Sequence, residues 1–279
     1  MKPFLLIVLL LQCSTMFSQS PKYEVYAVKF ASSAYPFTVA DWADRGPKDP
    51  VKIDFMVWLI KGDNGKNILV DAGFLNDIPN AAEFKIVNYV RPDSALLPLG
   101  LTANDITDII VSHPHWDHID GLNLFRRAKI WMQQDDYGYF VGRAWQKDGA
   151  PGGFVQRDVR MLLDLNLAGR LVLVKGDNQN ILPGITVFTG SKHTYESQYA
   201  LIETGRRKVI IASDNIWVYY SLEHLRPAAS GGTMDTTAYK NAMIRMKQLA
   251  PSKNAIIPGH DDAIFTLFPM VKPRVARID

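Results

Sequence analysis

The sequence predicts a mixed α/β fold in which two sheets pack together in one domain, and three observations carry that expectation. Ten short runs rich in β-branched and aromatic residues are spread over residues 21–279, each bounded by turn-forming residues. An amphipathic helix stands between groups of them, marked by apolar residues at helical rather than alternating spacing. No low-complexity tract, short-period repeat or Pro/Gly/Ser linker divides the chain, so residues 19–279 read as one domain.

In chain order the strands are expected at Tyr23–Phe30, Phe55–Lys61, Asn67–Asp71, Asp108–Ser112, Lys129–Gln133, Leu171–Lys175, Ile185–Thr189, Gln198–Glu203, Lys208–Ser213 and Asn254–Ile257. Two pairs read as hairpins, because Gly62-Asp63-Asn64-Gly65 and Thr204-Gly205-Arg206-Arg207 supply turn residues between strand-like runs. Thr102 and Asp105 have the spacing of a capping box, opening a short helix before the strand at Asp108. Tyr239, Ala242, Met243, Met246 and Leu249 share one helical face, with capping candidates at Asp235 to Thr237 and a stop at Pro251. That Met-rich stripe reads as core packing.

Charge and cysteine narrow the function. The 279 residues carry 31 Lys+Arg against 28 Asp+Glu, a net +3, with 47% hydrophobic residues. This is an ordinary globular balance without the basic field that nucleic-acid binding needs. Met1-Lys2-Pro3, the apolar run Phe4 to Leu11 and the polar, serine-rich stretch to Ser20 read as a secretory signal peptide over residues 1–18. The apolar run is far shorter than the ~20 residues a spanning helix requires. The expected product is exported, periplasmic or secreted; the lesser alternative is a lipoprotein anchored through Cys13, the single cysteine. Either way the body has no thiolate to offer a metal.

Histidine is scarce, and its placement is the strongest functional signal. The strand at Asp108 runs into His113-Pro114-His115-Trp116-Asp117-His118, three imidazoles and a carboxylate within six residues. Such a cluster suits zinc or a similar divalent ion. His193, Asp214 and His260 each follow another expected strand, whereas His224 has no such position and reads as an ordinary helix or loop residue.

In these residues the chain resembles the metallo-β-lactamase superfamily, whose motif is His-any-His-any-Asp-His, then a distant His, an Asp and a final His. His113, His115, Asp117, His118, His193, Asp214 and His260 supply all seven in order. The resemblance covers nearly the whole mature chain. It implies an αββα sandwich with the site where the two sheets meet. By position, His113, His115 and His193 would hold one zinc and Asp117, His118 and His260 a second, with Asp214 bridging both. Asp71 resembles the family's buried aspartate and is expected to steady the His113 to His118 loop; a plain turn aspartate is the competing reading.

Within the superfamily the pattern is most similar to the dinuclear N-acyl homoserine lactonases. Bridging Asp214 without a body cysteine disfavours β-lactamases that use a cysteine ligand, and His115 stands where flavodiiron oxygen reductases have glutamate. Persulfide dioxygenases and glyoxalase II act in thiol-rich compartments, unlike an exported protein. One departure is notable: the lactonases carry a carbonyl-polarising tyrosine three residues after the bridging aspartate, and here that residue is Trp217, with Tyr219 and Tyr220 beyond. An indole N–H donates but is no acid near neutral pH, so Tyr195 becomes a candidate source of the missing hydroxyl.

The implied reaction is hydrolysis of a lactone or related small ester by a hydroxide shared between two zinc ions, with Asp117 or Asp214 moving the proton. The segment Tyr35 to Trp42 reads as an apolar wall for an acyl chain, as a loop packed on the core or as a contact in a homodimer. The alternatives are a same-fold hydrolase of β-lactams, phosphotriesters or other esters, and a non-catalytic binding protein that keeps the metal site.

Overall fold

The structure is a computed structural model that describes residues 21–250 and 252–279. The expected signal peptide, with Cys13, and the helix stop at Pro251 lie outside the described residues. The described residues form fourteen strands: β1 (Tyr23–Ser33), β2 (Asp54–Gly62), β3 (Asn67–Val70), β4 (Ile86–Val87), β5 (Asp108–Ile110), β6 (Lys129–Gln133), β7 (Leu171–Val174), β8 (Gln179–Leu182), β9 (Ile185–Thr189), β10 (Gln198–Glu203), β11 (Lys208–Ser213), β12 (Ile256–Pro258), β13 (Met270–Lys272) and β14 (Val275–Arg277). They form a nine-stranded sheet ordered β13-β14-β1-β2-β3-β5-β6-β7, with β4 beside β1, and a five-stranded sheet ordered β12-β11-β10-β9-β8.

Alternation along the central strands explains the layering. On β1 and β2, Val25, Ala27, Met56, Trp58 and Ile60 face the second sheet, where they meet Val187, Tyr199 and Ile210. Their neighbours Tyr26, Val28, Phe30, Phe55, Val57 and Leu59 point the other way, to an outer layer that includes Leu122, Phe140 and Leu162. A strand buried on both faces needs apolar residues at every position, which is why these read as near-continuous hydrophobic runs. The other outer layer is the helix Thr236–Leu249, whose Tyr239, Met243 and Met246 pack on the second sheet. The αββα sandwich expected from the sequence is the observed fold.

Strand direction positions the site. β3, β5, β6 and β7 run parallel, as do β11 and β12, while the other pairs are antiparallel. Val70 lies opposite Ile110 and Ser213 opposite Pro258, so the residues just beyond these ends emerge side by side. Carboxyl ends of parallel strands are where open α/β sheets bind ligands.

Nine of the ten expected strands are present near their expected bounds, and the tenth is shifted: Asn254 and Ala255 belong to a 3-10 turn, Lys253–Ala255, and the strand begins at Ile256. β4, β8, β13 and β14, two to four residues long, lie outside the ten expected runs; β13 is exposed throughout, with Met270 and Val271 at the surface. The capping box is formed, with Thr102 N and Oγ1 donating to Asp105 Oδ2 at 2.8 and 2.7 Å, and Asp235 caps its helix through Thr237 N and Ala238 N. The helix Gln156–Leu167 adds to the expected set; its buried face runs Asp158, Met161, Leu162, Leu165, and the aspartate interrupts the stripe that would have announced it.

Candidate metal centre

All seven predicted ligands come together. His113 and His115 lie just beyond β5, with Asp117 and His118 in the short helix Trp116–Ile119 that follows. His193 leaves β9, Asp214 leaves β11 and His260 leaves β12. Their donor atoms fall into two groups, one of His113, His115, His193 and Asp214 and another of Asp117, His118 and His260, each within 4.8 Å. His224 is elsewhere, at the end of the helix Tyr219–His224, packed at a tilt against Tyr220.

The spacing fits metal. His113 Nε2, His115 Nδ1 and His193 Nε2 lie 3.0, 3.1 and 3.1 Å apart. Asp117 Oδ2 lies 3.3 Å from His118 Nε2 and 3.5 Å from His260 Nε2. Atoms bound tetrahedrally at about 2.0–2.1 Å are separated by about 3.3–3.4 Å, close to these values. Asp214 spans the halves: Oδ2 is 3.5 Å from His193 Nε2, and Oδ1 is 3.0 Å from His260 Nε2 and 3.4 Å from His118 Nε2. His118 Nε2 and Asp214 Oδ1 are buried without a hydrogen-bond partner, a costly state for polar atoms unless a cation accepts them.

Hydrogen bonds to the opposite ring nitrogens orient the imidazoles. His118 Nδ1 meets Asp71 Oδ2 at 2.8 Å, His193 Nδ1 donates to the Gly232 carbonyl at 2.6 Å, and His260 Nδ1 to the Asp54 carbonyl at 3.0 Å. His113 Nδ1 lies 2.9 Å from Ser112 Oγ. Each contact directs a free lone pair inward, as metal-binding histidines require. Asp71, fully buried with φ +61°, also accepts from Ser112 N, Ser112 Oγ and Ser213 Oγ, each at 2.8 Å. It holds the loop as expected and is more than a turn residue. The sequence reading missed Ser112, Ser213 and Asn215. Asn215 donates to the Gln198 and Ala212 carbonyls and accepts from Ser191 and Ser197, tying the Asp214 turn to the His193 loop.

The electrostatics divide in the same way. Burial lowers His113 well below the ordinary imidazole range, lowers His115 to about 3 and lowers His193. Burial thus favours the neutral form of all three rings, the form that ligates a metal. Burial pushes His118 and His260 the same way, but it is outweighed by Asp117, Asp214 and Asp71 at His118, and by Asp214 and Asp117 at His260, so both rise. Burial would raise Asp117 and Asp214, yet His118 and His260 hold both down, Asp214 well below the usual range.

A cleft of about 330 Å³ opens on this cluster, lined by Phe37, Trp42, Phe84, Trp116 and Trp217, with Asp41 and Glu83 and, among the described residues, no Lys or Arg. The aromatic segment at Tyr35 to Trp42 therefore supplies part of its wall. Trp217 does not present its N–H to the cleft: Nε1 donates to Asp214 Oδ2 at 2.8 Å. Tyr219 is buried with its hydroxyl unpartnered, and Tyr220 packs on His224. Tyr195 lies in a second, smaller cleft with His115, His193 and Met234, its ring stacked on Tyr139 at 4.7 Å.

Two packed sheets with a seven-residue His/Asp cluster at their strand ends define the class: a metallo-β-lactamase-type sandwich with a candidate metal centre. The sequence profile of the metallo-beta-lactamase superfamily matches residues 56–260, and the chain belongs to that superfamily. It is 22% identical over 170 residues to N-acyl homoserine lactonase AiiB of Agrobacterium fabrum, a match spanning 60% of each chain. It is similar in fold to a quorum-quenching N-acyl homoserine lactone lactonase, at 18% identity and TM-score 0.69 over 91% of this chain and 98% of that one. AidC, a dizinc quorum-quenching lactonase, superposes with TM-score 0.63 at 19% identity over 87% and 88%.

Proposed function

We propose that the chain is an exported dinuclear zinc hydrolase that opens a lactone or related small ester, with N-acyl homoserine lactones the first substrates to examine. The observation that carries this reading is the pairing of two donor groups, joined by Asp214, with an apolar cleft that has no cationic lining. Zinc held by His113, His115 and His193 and by Asp117, His118 and His260, with Asp214 between them, would supply Lewis acidity and a water acidic enough to ionise near pH 7.

The chain's own groups would do the rest. The aromatic wall of Phe37, Trp42, Phe84 and Trp116 takes an uncharged acyl chain and keeps bulk water from the reacting bond. Asp41 and Glu83 disfavour anions, which argues against β-lactams bearing a carboxylate and against phosphate monoesters. Asp214 has one oxygen engaged by Trp217 and the other facing His260 and His118. Asp117 lines the cleft and is the better-placed carboxylate to take a proton from the attacking water and return it to the departing alkoxide. Tyr195 would serve a substrate that reaches past His115 into the second cleft.

Export rests on the composition of residues 1–18, and the mass of the mature amino terminus tests it. The substrate reading is tested by zinc-loaded protein on a panel of acyl homoserine lactones, β-lactams, neutral phosphotriesters and p-nitrophenyl esters. Chelator-sensitive turnover highest on lactones is expected. No lactone opening beside fast cleavage of another class would replace it.

A further inference from the structure

We infer that Trp217 is a positioning residue for the bridging carboxylate: its indole N–H fixes the plane of Asp214 so that one oxygen faces each half of the metal centre. The inference rests on the two-metal reading above and goes beyond it by assigning a task to a side chain that supplies no metal donor.

Four observations support it. The Nε1–H···Oδ2 bond is 2.8 Å, and Oδ2 is the oxygen on the His193 side, while Oδ1 faces His260 and His118. Fixing Oδ2 therefore fixes the direction of both. The ring has little freedom to leave: it packs edge-on against Trp42 at 5.2 Å and against His193 at 5.6 Å. Its slot exists because residue 232 is glycine; a Cβ there would fall 2.1 Å from Trp217 Cη2 and 2.6 Å from Cζ3. The same Gly232 carbonyl orients His193, so one backbone position serves both the first half-site and the bridge. Finally, the backbone around Asp214 is already anchored, with Tyr239 Oη donating to the Asp214 carbonyl at 3.0 Å and His260 N donating to the Trp217 carbonyl at 3.0 Å. With the backbone held, side-chain rotation is the remaining freedom, and the indole removes it.

A carboxylate left free to rotate can place both oxygens on one ion and abandon the other. Loss of the indole donor should thus weaken one of the two metal equivalents and spare its neighbour, whereas loss of general packing would weaken both. Groups that orient metal ligands typically contribute 10–100-fold in affinity.

The test starts from zinc-loaded holoprotein, wild type and Trp217→Phe, challenged with a chromophoric chelator over a concentration series. Wild type should release two equivalents together at high chelator. The variant should release one equivalent at about ten-fold lower chelator or less and keep the other. Cobalt-substituted protein should show altered visible bands in the variant. Gly232→Ala, which crowds the indole out while keeping the backbone carbonyl, should reproduce the split release and serves if Trp217→Phe does not fold. Two equivalents released as in wild type, with an unchanged cobalt spectrum, would overturn the inference. Fewer than two equivalents in wild type would overturn both this and the two-metal reading.

Discussion

Asp71 gathers four donors, Ser112 N, Ser112 Oγ, Ser213 Oγ and His118 Nδ1, with no solvent contact. Asp71→Asn keeps the size and tolerates the left-handed backbone, but it turns an amide N–H₂ toward groups that donate. We expect a loss of about 1–3 kcal/mol in denaturant unfolding, together with lower zinc retention as His118 loses its orientation. Unchanged stability and metal content would reduce Asp71 to a spacer. The ligands themselves were legible because metal chemistry restricts donor types and strand ends restrict their positions. Their supports were less so. His193 and His260 are oriented by the carbonyls of Gly232 and Asp54, and a carbonyl leaves no mark in a residue's identity. Trp217 was visible as a departure from the lactonase pattern, but its engagement with Asp214 depends on a slot at Gly232 that no local motif announces.

Elements carry the site through their ends. β5 delivers His113 and His115, and the parallel pair β11 and β12 delivers Asp214 and His260, so the site needs the strands in register more than it needs the outer helices. The helix Thr236–Leu249 supplies no donor to the metal centre and reaches it through one bond, from Tyr239 Oη to the Asp214 carbonyl. Asp235 caps it with bonds of 2.8 and 3.0 Å, and Asp235→Ala should cost about 1 kcal/mol of stability while leaving zinc stoichiometry at the wild-type value. A drop in bound metal would show that the Tyr239 bond to the Asp214 carbonyl depends on the cap. Both the cap and the stripe behind it were read correctly from spacing. Gln156–Leu167 escaped because Asp158 sits on its buried face, and β13 escaped because its three residues are exposed.

At the scale of the whole molecule, buried acids that hold a proton in the folded state set a pH dependence, and Asp158 is raised furthest, above Asp136 at about 7 and Asp54 at about 6. Burial, then the nearby Asp120 carboxylate, raises Asp158 to about 8, whereas an unfolded aspartate titrates near ~3.9. The folded state therefore holds a proton that the unfolded state has released. This contribution to stability is complete below about pH 4 and declines as pH rises toward 8, by at most about 1.4 kcal/mol per pH unit. Asp158→Asn should reduce the slope and be more stable than wild type at pH 8–9, as read by thermal melts across pH; the same pH dependence of melting in the two proteins would refute it. Layering was legible from alternation on β1 and β2, but strand order was not: β14 closes beside β1, with Tyr26 opposite Arg277, a pairing over the full length of the domain that no local pattern encodes. The proposed function requires the seven gathered residues to form one two-metal catalytic centre. Zinc titration of chelator-treated protein, with ester or lactone hydrolysis followed at each addition, tests that most directly. Activity that is absent at the start and reaches its plateau at two equivalents is the predicted result; hydrolysis that survives chelation, or a plateau at one equivalent, would contradict it.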